Sequence, residues 1–228
     1  MNSAPAVIVF DVNETLSDMS PMAERFTEVG APANLAKLWF ATLLRDGFAL
    51  AAAGSKATFA EIGAEVLRGV LADAGTQADV EPAVKRILAG MGELRPHPDV
   101  VPGVRSLRAA GYRLVTLTNG SAEVAEKLLA PAGILHQFER LLSVEDAPAW
   151  KPDRSAYRYA ADACATDPGE MMLVAVHPWD IHGAAQAGLR TAWINRTGAK
   201  YPTYFAAPDV TVASLTELPE ALGAPADR

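Results

Sequence analysis

Val7-Ile8-Val9-Phe10 is a continuous apolar run of mostly β-branched residues that stops abruptly at Asp11. A strand with no polar alternation has no face to give to water, so it belongs inside a parallel sheet covered by helices on both sides. Later runs repeat the pattern. Arg113-Leu114-Val115-Thr116-Leu117-Thr118 stops at Asn119-Gly120, and Met171-Met172-Leu173-Val174-Ala175-Val176 stops at His177-Pro178. Helical spacing follows, as over 122–129 and 181–187. Strands alternating with helices predict an α/β fold, a doubly wound parallel sheet. Ligands of such sheets sit outside the carboxyl ends of the strands, and Asp11, Asn119 and Asp180 fall at or just past those ends.

The alternation fails between Ser20 and about Arg95, where helix patterns appear without a convincing strand. Segment 34–53 carries Leu35, Leu38, Trp39, Thr42 and Leu43 at helical intervals, and 59–71 is similarly periodic. The expectation is a helical cap subdomain over 20–95, inserted into a core formed by 1–19 and 96–228 and roofing the strand ends as lids do. A chain of 228 residues suits one domain carrying such an insertion. With 50% hydrophobic and 21% charged residues it has material for a substantial core and is not disordered.

Net charge is −7 and no Lys/Arg-rich run is present, which argues against nucleic acid as a partner. No apolar stretch approaches the roughly 18 residues of a membrane span. The opening Met1-Asn2-Ser3-Ala4-Pro5 lacks a basic leader and the following apolar run is short, so a cytoplasmic protein is expected. The lone Cys164 excludes an internal disulfide and a Cys-based zinc cage. Residues 223–228 read as a loose tail.

Four fragments carry candidate chemistry. Asp11 sits at a strand end among turn amides that would keep a carboxylate ionised, as a nucleophile requires; an Asx-turn or N-cap aspartate would look the same. Thr118-Asn119-Gly120-Ser121 is either a plain strand-to-helix turn or a set of groups meeting a substrate held at Asp11. Lys151, before Pro152, is either a solvated charge or the cation that holds Asp11 anionic. His177-Pro178-Trp179-Asp180 either opens a helix or supplies a His–carboxylate pair able to take a proton from water.

Taken in order, Phe10-Asp11-x-x-x-Thr15-Leu16, Thr118-Asn119-Gly120-Ser121, Lys151-Pro152, Trp179-Asp180 and Trp193-Ile194-Asn195-Arg196-Thr197-Gly198 resemble the haloacid dehalogenase superfamily. Within it the chain is similar to the type II (S)-2-haloacid dehalogenases, from Val7 to about Gly198 and including the cap. The resemblance implies a Rossmann-like core, hydrolysis of (S)-2-haloacids to (R)-2-hydroxy acids through an aspartyl ester, and no metal or organic cofactor. The partners it implies are the small haloacid and the departing halide ion, with dimerisation common in the family. Asp11 matches the nucleophile, Thr15 the hydroxyl that orients it and Lys151 its cationic partner. Asp180 matches the acid supporting Lys151 and the hydrolytic water. Thr118 stands where a serine commonly contacts the substrate carboxylate, and Asn119 matches a residue near the halide.

The chain also departs from the family. Phosphatases of the superfamily carry an acid two residues after the nucleophile and a magnesium ligand five before the position of Asp180. Here those residues are Asn13 and Ala175, which disfavours a phosphatase and places Asn13 among the substrate contacts. The dehalogenases follow the tryptophan matching Trp39 with a halide-binding arginine, and this chain has Phe40. Arg45, on a predicted stripe with Leu38, Ala41 and Phe48, either reaches the cleft from a shifted position or stays solvated. Trp39, Phe40, Phe48 and Phe59 either pack the cap or line an apolar pocket. His177 replaces the usual asparagine, and its expected role is the base that activates the hydrolytic water, assisted by Asp180. Trp179 and Trp193 read as structural, and His182 as a helix-surface residue. The rival readings are another hydrolase of the same fold and a non-catalytic binding protein that kept it.

Overall fold

In the computed structural model, residues 4–75 and 79–223 are described. Of the expected tail only Gly223 lies within them. Chain order is β1 (Val7–Phe10), β2 (Ser17–Asp18), α1 (Met22–Glu28), α2 (Leu35–Ala52), α3 (Phe59–Asp73), α4 (Val80–Met91), β3 (Arg95–Pro96), α5 (Val100–Ala109) and β4 (Arg113–Thr118). There follow α6 (Ala122–Leu129), β5 (Arg140–Ser143), α7 (Arg154–Cys164), β6 (Met171–Ala175), α8 (Pro178–Gln186), β7 (Arg190–Ile194), β8 (Val210–Val212) and α9 (Leu218–Ala221).

Among the described residues the main sheet is six-stranded, in the order β5-β4-β1-β6-β7-β8, with every neighbouring pair parallel. The three apolar runs are its centre, and β1 is fully buried. Phe10 pairs with Thr116 on one side and Val174 on the other, so these strands end at one edge of the sheet. Asp11, Thr118-Asn119 and His177 therefore emerge together. The sequence reading did not include β5, β7 and β8. β8 has three residues, and after Arg140 and Arg190 only Leu141-Leu142-Ser143 and Thr191-Ala192-Trp193-Ile194 remain as strand.

Among the described residues, segment 20–94 is helical wherever it is regular, and β2 pairs antiparallel with β3 where the chain leaves and rejoins the sheet region. Thr58 opens α3 with a capping box: its hydroxyl accepts from Glu61 N–H, and the Glu61 carboxylate accepts from Thr58 N–H. The buried stripe of α2 is Ala36, Trp39, Phe40, Leu43 and Gly47, so the Leu38–Ala41–Arg45 stripe is a misreading. Leu38 is 53% exposed.

This helical segment is fastened over the sheet by specific contacts. Lys56 Nζ donates to the carbonyls of Val144, Glu145 and Ala147 at 3.3, 2.7 and 2.8 Å. Trp150 stacks on Phe59 at 6.2 Å with planes 7° apart, and its indole N–H donates to Ala57 O. Gly47 faces the same ring so closely that a Cβ there would lie 2.5 Å from it. Glycine is required at this crossing because the two surfaces touch backbone to ring.

Candidate active site

The chain turns directly after β1, where Asp11 N–H donates to Val174 O at 3.1 Å and anchors the turn to β6. Thr15 Oγ donates to Asp11 Oδ2 at 2.6 Å and itself accepts from Val176 N–H at 3.1 Å, so the hydroxyl is fixed from both ends. Lys151 Nζ donates to Asp11 Oδ1 at 2.9 Å and to Asp180 Oδ2 at 2.6 Å, and the lysine side chain is fully buried. Asp180 Oδ1 accepts from Tyr157 Oη at 2.6 Å. Tyr157 was not among the expected residues. Its place on α7, facing α8, gives no local sequence signal.

Helix α8 begins at Pro178, three residues earlier than the periodicity suggested, because proline suits the first helical position. Asp180 is thereby in the first turn and buried beneath it. Asn119, expected beside a halide, also braces the lysine loop. Its amide donates to Lys151 O and accepts from Lys151 N–H, at 3.1 and 3.0 Å, clasping the loop that presents the lysine. Thr118 Oγ accepts from Gly120 N–H at 2.9 Å, which shapes the turn into α6. Asn13 is buried, and its amide group borders Gly120.

His177 lies against the same carboxylate. Its Nδ1 is 3.1 Å from Asp11 Oδ2 and its Nε2 is 2.8 Å from Glu14 Oε2. The carboxylate partner of His177 beyond Asp11 is Glu14, and Asp180 is committed to Lys151 and Tyr157. Glu14 went unread in the sequence. The available signal was its position three residues past Asp11, on the turn. Trp179 stacks on His177 at 5.1 Å, lies 5.9 Å from Lys151 Nζ, and meets Phe48 of α2 at 4.9 Å. It is part of the site wall as well as structural.

Three expectations are corrected. Arg45 points outward, 70% exposed and paired with Asp46 at 2.8 Å, because its turn of α2 faces solvent. Trp39 is wholly buried, donating to Gly63 O between α2 and α3, and Phe40 packs between Trp39 and Phe59; both belong to the helical core. His182 is half-buried, with Nδ1 accepting from Ala206 N–H and its ring against Phe205. Trp193 donates to Val176 O and is structural as expected.

The electrostatics follow from these contacts. Burial pushes the Asp11 carboxyl up, but Lys151, His177 and Thr15 outweigh it and hold it well below the usual carboxylate range. Burial opposes the Lys151 charge, yet the two flanking carboxylates raise its pKa. Burial, then the Asp11 charge against the pull of Lys151, raises Asp180. Burial also opposes a charged His177, but hydrogen bonds and charge from Asp11 and Glu14 lift its pKa from 6.5 to about 9. In the resting site, with Asp11 anionic beside it, His177 is thus held toward the imidazolium form near neutrality; its expected role as a base concerns the later ester, in which that anion is gone.

A hard dication does not fit this donor set. Ala175 has no side-chain oxygen, Asn13 offers no charge, and the carboxylates of Asp11 and Asp180 are both engaged by the Lys151 ammonium. Among the described residues no group of three or more His, Cys, Asp or Glu could hold a metal ion.

A buried, ionised aspartate at the end of the central strand, clamped by a threonine and a lysine, under a helical roof, defines a hydrolase of the aspartate-nucleophile kind. The chain belongs to the haloacid dehalogenase-like hydrolases, whose family model matches residues 5–188. It is 30% identical over 207 residues to haloacetate dehalogenase H-2 of Moraxella sp. (strain B), covering 90% of this chain and 92% of that one. It is 31% identical over 212 residues to (S)-2-haloacid dehalogenase 4A of Burkholderia cepacia, covering 92% and 91%. Among solved structures, the L-2-haloacid dehalogenase of Xanthobacter autotrophicus with chloropropionic acid covalently bound superimposes with a TM-score of 0.85 at 25% identity. That match covers 95% of this chain and 97% of that one.

Proposed function

We propose that this chain hydrolyses (S)-2-haloacids to (R)-2-hydroxy acids through an ester on Asp11. The observation that carries the reading is the Asp11 carboxylate, buried yet held anionic by Lys151 and Thr15. One Asp11 oxygen attacks the α-carbon opposite the halogen; the new C–O bond forms as the carbon–halogen bond breaks, and halide leaves with the electron pair. Water then attacks the carbonyl carbon of the ester, and the acyl C–O bond breaks. The 2-hydroxy acid leaves with the former Asp11 oxygen. The α-carbon is inverted because only the first step touches it.

In this reading 20–95 is the cap and 1–19 with 96–228 the catalytic core. The net charge of −7 gives no long-range attraction for an anionic acid, so recognition falls to local groups. Lys151, the imidazolium of His177, Asn13 and the amides around Thr118 supply it, and Phe48 with Trp179 supplies the apolar wall. The expected setting is the cytoplasm, which suits the buried free thiol of Cys164, and the assembly the resemblance implies is a homodimer.

The test is halide release from each enantiomer of 2-chloropropionate, beside phosphate release from a generic phosphate ester with and without magnesium. Halide from the (S) form alone, abolished by Asp11→Asn, is the expected result. Magnesium-dependent phosphate release would instead make the protein a phosphatase, and silence in all arms would leave a binding protein of this fold.

A further inference from the structure

Glu14 is a non-glycine residue with φ of +60°, a left-handed conformation that L side chains rarely adopt. Strain of this kind persists where the surroundings impose it. Here two contacts do so. His97 Nε2 lies 3.0 Å from the Glu14 carbonyl, and the Glu14 carboxylate reaches His177 Nε2 at 2.8 Å. The carboxylate itself is 45% exposed, so it stands at the solvent end of a line that runs through His177 to Asp11.

We infer that Glu14 is a positioning residue that holds His177 with Nδ1 toward Asp11, so that His177 becomes a general base only after Asp11 has been alkylated. The inference rests on the dehalogenase reading above. In the resting enzyme both ring nitrogens carry protons, one donated to Asp11 and one to Glu14. Alkylation turns the Asp11 carboxylate into a neutral ester and removes the stronger of the two anionic partners. The Nδ1 proton then departs to solvent, accompanying the halide. Glu14 keeps the Nε2 proton, which leaves the Nδ1 lone pair facing the ester.

Water attacking the ester carbonyl gives one proton to Nδ1. Its hydroxyl proton goes to the leaving alkoxide as Asp11 is regenerated as a carboxylate. One proton and one halide are released per turnover, and the imidazolium is restored beside the carboxylate it neutralises. The charged groups around the ring are Asp11 and Glu14 in contact, with Lys151 and its partner Asp180 beyond the Trp179 ring. Phe48 brings no charge from α2.

The test is single turnover of (S)-2-chloropropionate with the full chain in excess. Halide release reports alkylation, and loss of the covalent adduct by intact mass reports hydrolysis. Glu14→Gly relieves the backbone strain, so a merely structural residue would leave both steps unharmed. On the inference it leaves alkylation within about threefold but slows hydrolysis by about 10- to 100-fold, and moves the acid limb of the hydrolysis profile to lower pH. Glu14→Gln, which keeps an acceptor for Nε2–H without the charge, restores part of that rate. His177→Gln gives one equivalent of halide and a persistent ester. Parent-like hydrolysis and an unshifted profile in Glu14→Gly, or prompt ester loss in His177→Gln, overturns the inference while the dehalogenase reading stands. No halide from the parent overturns both.

Discussion

Lys151 and Asp11 are 140 positions apart in the chain and meet at 2.9 Å with neither side chain more than 5% exposed. Asp180 completes the contact from the other side at 2.6 Å, so one ammonium bridges two buried carboxylates, and His177 faces Asp11 from its other oxygen. Such an arrangement is stable only while all its members are present, because each charge left alone keeps its desolvation cost.

Lys151→Met is therefore expected to fail twice. Two carboxylates lose their counter-charge, which destabilises the fold by about 3–5 kcal/mol. Asp11 also loses the largest of the groups that keep it ionised, and halide release falls steeply. Urea unfolding and a halide assay measure the two effects separately.

The pH dependence of stability has a definite sign at His177. Its folded pKa of about 9 lies above the ordinary 6.5, so its contribution is fully present below pH 6.5 and is lost as pH rises through 9. Unfolding free energy should fall by up to about 3 kcal/mol across that window. His177→Asn should flatten the slope. Asp11 acts oppositely: its contribution is present above its ordinary range near 4 and is lost as pH falls below it. Urea midpoints at pH 6.5, 8 and 9.5 with parent and variant decide the His177 claim, and an unchanged slope in His177→Asn refutes it.

Gly47→Ala tests how the roof is seated. The added methyl would lie 2.5 Å from the Trp150 ring, so either the ring or α2 must move. The expected cost is about 1–3 kcal/mol in stability, with a rise in KM larger than any fall in kcat as Phe48 shifts against Trp179. Thermal unfolding and steady-state kinetics check both parts.

Arg45→Ala separates the helix stripe that was expected from the one that is present. A cleft-reaching arginine would cost an order of magnitude or more in KM. An arginine paired with Asp46 at the surface should change KM by less than about twofold and stability by less than about 0.5 kcal/mol.

The parts of the site legible in the sequence are those tied to strand ends. Asp11 follows β1, Thr118 closes β4 and His177 follows β6, so three apolar runs located them before any contact was known. Asn119 shows the limit of that reading. Its position beside the site was legible, but its grip on the Lys151 backbone, a contact across 32 residues, was not. Tyr157 carries no motif and Glu14 only its nearness to Asp11, and their partners reveal what each does.

What the sequence determined by itself is the three central strands of the sheet, the helical stretch after the first of them and the candidate nucleophile at its end. Runs of buried β-branched residues admit few folds, and an acid at the end of the first run has one place to go. What only the tertiary structure decided is direction and pairing. Which face of α2 is buried, whether Arg45 points in or out, and whether His177 meets Glu14 or Asp180 depend on side chains converging from distant segments. Periodicity along a chain fixes spacing, but it does not fix which surface packs against which. The charge state of His177 follows from that pairing, because two carboxylates placed on opposite nitrogens hold a proton that the ring would ordinarily give up near neutrality.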